Sequence, residues 1–459
     1  MSGENQTMKE FRTDPNVAEA FRATRERETA MSKLLMAFIT TGLFFMLFPG
    51  TLLGVWNLLQ ISGRERGGFI PAAWLQAHGH AQVFGWIGSF LLGIGFYSIP
   101  KLHGRATRII RAAWGCWVLW TVGVAARWAA TVYLWKWRVV VPAGGALELL
   151  AFLIFLSIVS QHRPKDSSRQ GLEPWVWVVV SAMIGFLLSL STNLVASVQA
   201  SLREMDPAFP RNFDQRYLAL LGWGFLVLFV WGFSAKWMPV FVGLKAIRPG
   251  FLFGAVVLDF VGVACAFAGR FTAATILLFA ATIFSVIAIR IFERSEQEPK
   301  IRGIHKSFPA FVRMAYGWLL IAAGLGVAAA QWDTSGGFWG ASRHALTVGF
   351  VGIMVLAVGQ RILPAFAGMR LLWSPRLMFV GLFLLAAGCT LRVSSEVLAY
   401  QGYVGWAWHV LPVSALVELT ALSVFTLNML CTFVLQKSHA VNEPMMVGLP
   451  QLIAISNTR

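Results

Sequence analysis

Four of the eight histidines fall where an imidazole can do chemistry. His78, His80, His344 and His409 lie at or just inside the same ends of long apolar runs. The other four, His103, His162, His305 and His439, fall in polar connecting segments and read as surface residues. A polar side chain at membrane depth is costly to bury and usually functional. Imidazoles at matched depth on facing helices, beside glycines that clear a slot, are what axial ligation of a haem iron requires. Arg127 and Arg392 lie inside neighbouring runs at that same end. A guanidinium is a two-pronged partner for carboxylates. These arginines can hold the propionates of such a haem, or pair structurally with Glu148 and Glu418 on the following runs.

The elements that must position these residues are membrane helices. Of the 459 residues, 57% are hydrophobic and only 13% charged. A soluble domain carries about 25% charged residues, so this chain cannot cover a water-facing surface. The apolar runs are near 31–59, 78–100, 112–135, 145–161, 174–200, 217–240, 249–268, 272–292, 310–330, 344–365, 376–398 and 408–435. Runs of about 20 residues suit spanning helices rather than barrel strands. The expectation is an all-α membrane protein of about twelve transmembrane helices. Residues 1–30 read as a polar tail with no apolar core of a cleavable leader, and 436–459 as a second tail. The isolated cysteines Cys116, Cys265, Cys389 and Cys431 read as small buried hydrophobes.

An internal repeat relates the runs. The second reads HAQVFGWIGSFLLGIGFYSIP from His80 to Pro100, and the tenth HALTVGFVGIMVLAVGQRILP from His344 to Pro364. Both open His-Ala, carry glycine at the same three places and end in proline. Counting back from Pro239 on the sixth run puts Ala219 at the histidine position and Gly224 in register with Gly85 and Gly349. Gly-x-x-x-Arg recurs as Gly123–Arg127 and Gly388–Arg392, followed by the glutamates Glu148 and Glu418. The spacing predicts three four-helix units around a pseudo-threefold axis, roughly 31–161, 174–292 and 310–435. Glycines at this spacing also serve plain helix packing.

The net charge of +17 is unevenly placed. With the N-terminus inside, the inner segments hold 26 lysines and arginines and the outer loops nine. That asymmetry is the positive-inside pattern. It predicts a multi-pass protein of the inner (cytoplasmic) membrane with a cytoplasmic N-terminus, in contact with lipid and not with nucleic acid.

With these residues in place, the chain resembles the haem–copper oxidase subunit I architecture. The motifs HGHAQVFGWIG (His78–Gly88) and HALTVGFVG (His344–Gly352) are more specifically similar to the NnrS family. The resemblance covers roughly 30–435 and is weak in the middle third. It implies haem b, a place for copper, and a role in nitric oxide metabolism or protection from nitrosative stress, whether or not the chain is a haem-dependent oxidoreductase. The oxidase pattern is incomplete, however. Helices 217–240 and 249–268 carry no histidine for copper, and Ser342 stands where the oxidases place a second histidine two before His344.

Residues two apart on a helix point about 200° apart. Combined with the oxidase pattern, the threefold relation makes His344 face the second helix, where His78 faces back. His80 then faces the sixth helix at Tyr217, as a hydrogen-bonded pair or a second haem or metal site. Ala219 and Ser342 meet at the third junction without a ligand. The expected site is therefore His78–haem–His344, with Arg127, Arg392, His80 and Tyr217 nearby and His409 a further candidate for copper. Two other classes stay open: a quinol-linked electron carrier with a bis-His haem, and a cofactor-free transporter. Asp259 and Lys236 are candidates for a proton or ion route, with Lys236 equally able to snorkel, and Asn193 reads as a hydrogen bond between helices.

Overall fold

The computed structural model describes residues 15–63, 70–102, 110–161, 173–203 and 206–437. Twelve long helices follow one another: α1 (Arg25–Ser62), α2 (Ala72–Pro100), α3 (Ile110–Tyr133), α4 (Trp137–Ser160), α5 (Pro174–Leu202), α6 (Arg211–Val242), α7 (Pro249–Phe267), α8 (Phe271–Ile289), α9 (Phe308–Trp332), α10 (Gly337–Phe366), α11 (Pro375–Tyr400) and α12 (Ala407–Leu435). Among the described residues, eleven of these helices are long and apolar enough to cross a membrane. The other, α3, is 24 residues long. Four tryptophans and Arg127 lower its hydropathy, yet it packs along α4 and against α2 as a spanning helix would. Connections between α7 and α8 and between α11 and α12 are short, so neighbours in sequence are neighbours in space. His103, His162 and His439, expected at the surface, lie outside the described residues.

The units close into a ring. The last helix of each unit packs on the first helix of the next: α4 on α5, α8 on α9, and α12 on α1. Within each unit the third and fourth helices cross at a glycine. A Cβ on Gly123 would lie 2.9 Å from the Gly144 carbonyl oxygen and 3.1 Å from Glu148 Cγ. On Gly388 it would lie 2.7 Å from Glu418 Cγ, and on Gly262 2.9 Å from Leu278 Cγ. Three equivalent crossings put Glu148, Leu278 and Glu418 at one repeat position. Counting four from each glycine puts Arg127, Ala266 and Arg392 at another.

A second feature repeats. The second, sixth and tenth helices each contain eight π-helical residues: Ala81–Gly88, Leu220–Val227 and Ala345–Gly352. Each begins one residue after the repeat position held by His80, Ala219 and His344. Such segments are rare, occur mostly inside α-helices and are frequent at functional sites. A further one in α1, Met46–Leu52, contains Pro49. Proline lacks the N–H that would continue the ladder and its ring crowds the preceding turn. The large hydrophobics left exposed on the outer helix faces, such as Phe44, Val122, Ile184 and Phe383, face where lipid would lie.

Candidate functional site

The three interfaces between units carry different side chains on the same frame. At the third interface, between units three and one, His78 is on α2 and His344 on α10. His78 Nδ1 donates to the Gly50 carbonyl oxygen at 2.8 Å. That carbonyl lies in the turn loosened by Pro49, whose other oxygens are also taken by side chains. Trp128 Nε1 donates to Pro49 O at 3.1 Å, and Gln82 Nε2 to Met46 O at 3.2 Å. The His78 ring lies flat enough against α1 that a Cβ on Gly54 would sit 2.7 Å from its Cε1. Glycine is required there for the close approach.

His344 is held in the same way. Its Nδ1 donates to the Gly340 carbonyl oxygen at 2.9 Å, one turn back on α10. The same atom is 3.0 Å from Glu396 Oε2 on α11. In both histidines the Nδ1–H is committed to a backbone carbonyl. In a neutral imidazole the lone pair is then on Nε2. An imidazole that ligates through one nitrogen usually has its other N–H tied in this way to a carbonyl or carboxylate. His78 lies within electrostatic reach of His344 and Arg392.

Arg392 and its surroundings correct one expectation. Its direct partner is Glu396 on the same helix, at 3.5 Å, rather than Glu418. Its Nε and Nη1 are buried without a hydrogen-bond acceptor, and so is Glu418 Oε1 without a donor. Glu396 was not foreseen, although Arg-x-x-x-Glu from Arg392 is a legible helical pair. Cys389, buried one turn before Arg392, packs its Sγ 3.9 Å from the His344 carbonyl oxygen.

At the first interface, His80 turns the opposite way from His78, as residues two apart must. Its Nε2 is 2.9 Å from Glu148 Oε1 on α4, and its ring stacks on Phe84 at 4.6 Å between centroids. Glu148 is fully buried. The anticipated Arg127–Glu148 contact is replaced: Arg127 Nη1 donates to Ser197 Oγ at 3.0 Å, and its guanidinium lies over the Phe209 ring. Glu148 and Tyr217 are within electrostatic reach of Arg127. Tyr217 is thus in this pocket, on α6, but the His80–Tyr217 hydrogen bond does not form. Its Oη is buried without a partner, as are Glu148 Oε2 and both amide atoms of Asn193. The first interface is a polar pocket with hydrogen-bonding capacity to spare, and the interhelical bond anticipated for Asn193 is not made.

At the second interface Ala219 and Ser342 line one cavity, as the symmetry required. His409 is exposed at the start of α12 and is not part of the buried cluster. Among the described residues, no three His, Cys, Asp or Glu side chains converge as a metal-binding group. Lys236 pairs with Glu173 at 2.7 Å near the end of α5. Asp259 is fully buried with neither carboxylate oxygen bonded.

With this geometry in place, the solved structure of a haem–copper terminal oxidase dimer overlays the chain with a TM-score of 0.63. The alignment covers 88% of this chain and 84% of that one, at 12% identity. The chain has the oxidase fold. Residues 221–432, from the π segment of α6 to the end of α12, match a family described as a domain of unknown function (DUF8744). No curated protein matches the chain. The relation to the haem–copper oxidase architecture read from the sequence therefore holds at the level of the fold.

Proposed function

We propose that the chain is a membrane haem protein of the NnrS type, with a haem b held by His78 and His344 and a role in nitric oxide metabolism or protection. The observation that carries the reading is the matched tethering of the two imidazoles. Each has Nδ1 bound to a backbone carbonyl, Gly50 or Gly340, and Nε2 left as the basic nitrogen. His80, by contrast, spends its Nε2 on the Glu148 carboxylate. The donor set fits the group: two imidazoles each tied at Nδ1, a glycine at position 54 that lets one of them lie against α1, and a buried guanidinium with unpaired N–H groups.

When bound, haem b supplies a one-electron iron centre, and a diatomic gas can bind wherever an axial position is free. The protein's part is orientation and charge. Gly50 and Gly340 fix the ring tautomers, and Glu396 Oε2 lies 3.0 Å behind His344 Nδ1. With haem bound, Arg392 would meet a propionate through Nε and Nη1, which have no partner within the protein. Copper of the oxidase kind has no histidine on α6 or α7 to hold it. The pinning of both rings also favours a second reading, in which a bis-His haem relays electrons from quinol and resists displacement by a gas.

Spectroscopy of the purified protein tests these readings. A Soret band that shifts on adding nitric oxide is expected. A low-spin band indifferent to nitric oxide but reduced by quinol favours the relay, and the lack of a Soret band removes both. If His78→Ala and His344→Ala each retain a six-coordinate low-spin spectrum, the ligand assignment fails.

The proposed orientation places the N-terminus and the loop after α8 in the cytoplasm of the inner membrane. In a background lacking native cysteines, Tyr403→Cys should react with an impermeant maleimide on intact spheroplasts and Glu298→Cys should not. The reverse pattern would invert the topology.

A further inference from the structure

The loop after α8 sorts its charges along its length. Its first part holds acids paired with cations. Lys245 meets Glu296 at 3.2 Å, Arg248 meets Glu293 at 3.1 Å, and Arg290 meets the same carboxylate at 2.8 Å. The N–H groups of Glu296 and Lys300 donate to the carbonyl oxygens of Gly243 and Phe241, so this part lies against the end of α6.

The loop then reaches α11. A Cβ on Gly303 would lie 3.7 Å from Leu371 Cδ2, and the His305 ring is 4.9 Å from that of Phe379. Residues 301–306 (IRGIHK) are thereby brought beside 369–376 (MRLLWSPR), and neither stretch contains an acid. Arg302, Lys306 and Arg376 are exposed here. Among the described residues, their side chains make no hydrogen bond or ion pair. Arg370 is committed elsewhere: Nε donates to the Ala367 carbonyl oxygen at 2.8 Å and Nη1 to that of Gln436 at 2.9 Å. Beside the three free cations runs an apolar rail. Phe379 and Phe383 stack at 6.0 Å one turn apart on α11, and Phe311 of α9 meets Phe379 at 6.1 Å. Met314, Phe379 and Phe383 are exposed, and so is Trp373, a residue type that settles at membrane surfaces.

Unpaired cations above an exposed apolar rail complement an amphiphile with a negative head. We propose that the corner between α9 and α11 binds one anionic phospholipid of the cytoplasmic leaflet, with its phosphate among Arg302, Lys306 and Arg376 and an acyl chain along Phe379, Phe383 and Met314. A guanidinium is a two-pronged donor to phosphate oxygens. Basic clusters at the cytoplasmic membrane surface attract acidic headgroups, each cation adding to the affinity. A free phosphate would meet the cations but gain nothing from the rail. The site involves neither His78 nor His344, so it is independent of the haem reading.

Native mass spectrometry of the delipidated, full-length protein tests this, with dioleoyl phosphatidylglycerol and dioleoyl phosphatidylcholine as probes. The first bound phosphatidylglycerol should bind at least about tenfold more tightly than phosphatidylcholine. Arg302→Gln, Lys306→Gln and Arg376→Gln in one chain should abolish that preference. Because these side chains touch no partner in the protein, the fold should survive. Arg27→Gln, Lys33→Gln and Arg111→Gln, exposed cations on α1 and α3, form the charge-matched control and should retain the preference. A preference kept in the corner variant, or lost equally in both variants, would overturn the proposal. So would glycerol phosphate binding as tightly as the lipid, which would make the corner a site for free phosphate. The haem spectrum of the same samples reports separately on the ligand assignment.

Discussion

The His78 ring donates through Nδ1 to the Gly50 carbonyl oxygen, 2.8 Å away, in the turn of α1 that Pro49 opens. The bond joins a defect in one helix to a histidine on the next. A regular turn keeps its carbonyls for its own ladder. The proline turn lets its carbonyl oxygens reach side-chain donors, and His78 takes one while Trp128 and Gln82 take two more. The ring is thereby held in one tautomer and one plane.

Gly54→Ala should disturb that ring without touching it chemically. The new Cβ would be built 2.7 Å from His78 Cε1 and 2.9 Å from Nδ1, and an imidazole pinned at Nδ1 has no flexible end to give. The ring must turn and lose the Gly50 bond. Haem content should fall and the low-spin fraction with it, measured by the pyridine haemochrome and the Soret band. Gly115→Ala is the control, because a Cβ there meets nothing within 4 Å. Equal spectra in the two variants would mean that the ring plane at position 78 does not govern ligation.

The first interface should be separable from the third. Glu148→Ala leaves His80 buried beside Arg127 with no carboxylate. Removing one partner of a buried hydrogen bond costs about 1–3 kcal/mol, and more for a charged pair. A thermal shift assay should show that loss, while the low-spin haem spectrum stays. His80→Ala should likewise keep the spectrum. A spectrum lost in His80→Ala but kept in His78→Ala would move the ligand to the other interface.

Glu396→Gln tests the carboxylate beside His344. Its Oε2 is 3.0 Å from Nδ1, and Oε1 is 3.5 Å from Arg392. A negative charge behind an axial imidazole stabilises the more oxidised iron. Replacing it by a neutral amide should raise the haem midpoint potential, read by spectroelectrochemical titration. An unchanged or lowered potential would show that Glu396 serves packing and Arg392 alone.

Much of this was legible in the residues. Helix positions followed from run length, because the bilayer leaves the backbone few choices. The threefold register followed from glycines and prolines, which mark where helices cross and bend. The opposite facing of His78 and His80 followed from helical geometry, and the meeting of Ala219 with Ser342 from the threefold register read together with the resemblance to the oxidase pattern. The partners did not. Arg127 and Arg392 took Ser197 and Glu396 rather than Glu148 and Glu418, because the reach of a long side chain depends on rotamer and on the neighbouring helix. The π segments left no sequence signal beyond Pro49 and the repeated glycines, since a bulge is decided by packing across helices. Gly50 was invisible as a partner because its chemistry is in its carbonyl.

Gly185→Ala should be among the costliest single changes in the chain. Gly185 on α5 lies directly against the backbone of Gly224 in the π segment of α6. A Cβ at 185 would stand 1.8 Å from the Gly224 carbonyl oxygen and 2.6 Å from its carbonyl carbon. Both obstacles are backbone, so no side-chain rotation relieves them, and α5 and α6 must separate. Overpacking of this kind costs about 1–3 kcal/mol or more. Close approach through small residues is also what holds membrane helices together when no hydrophobic force separates lipid from protein. Separation of these helices would open the first interface, where Ser197 on α5 accepts from Arg127. A fall in Tm for Gly185→Ala, with Gly115→Ala unchanged, is expected from differential scanning fluorimetry in detergent. Equal Tm values in the two variants would mean that the α5–α6 crossing is looser than the contact between these two glycines indicates.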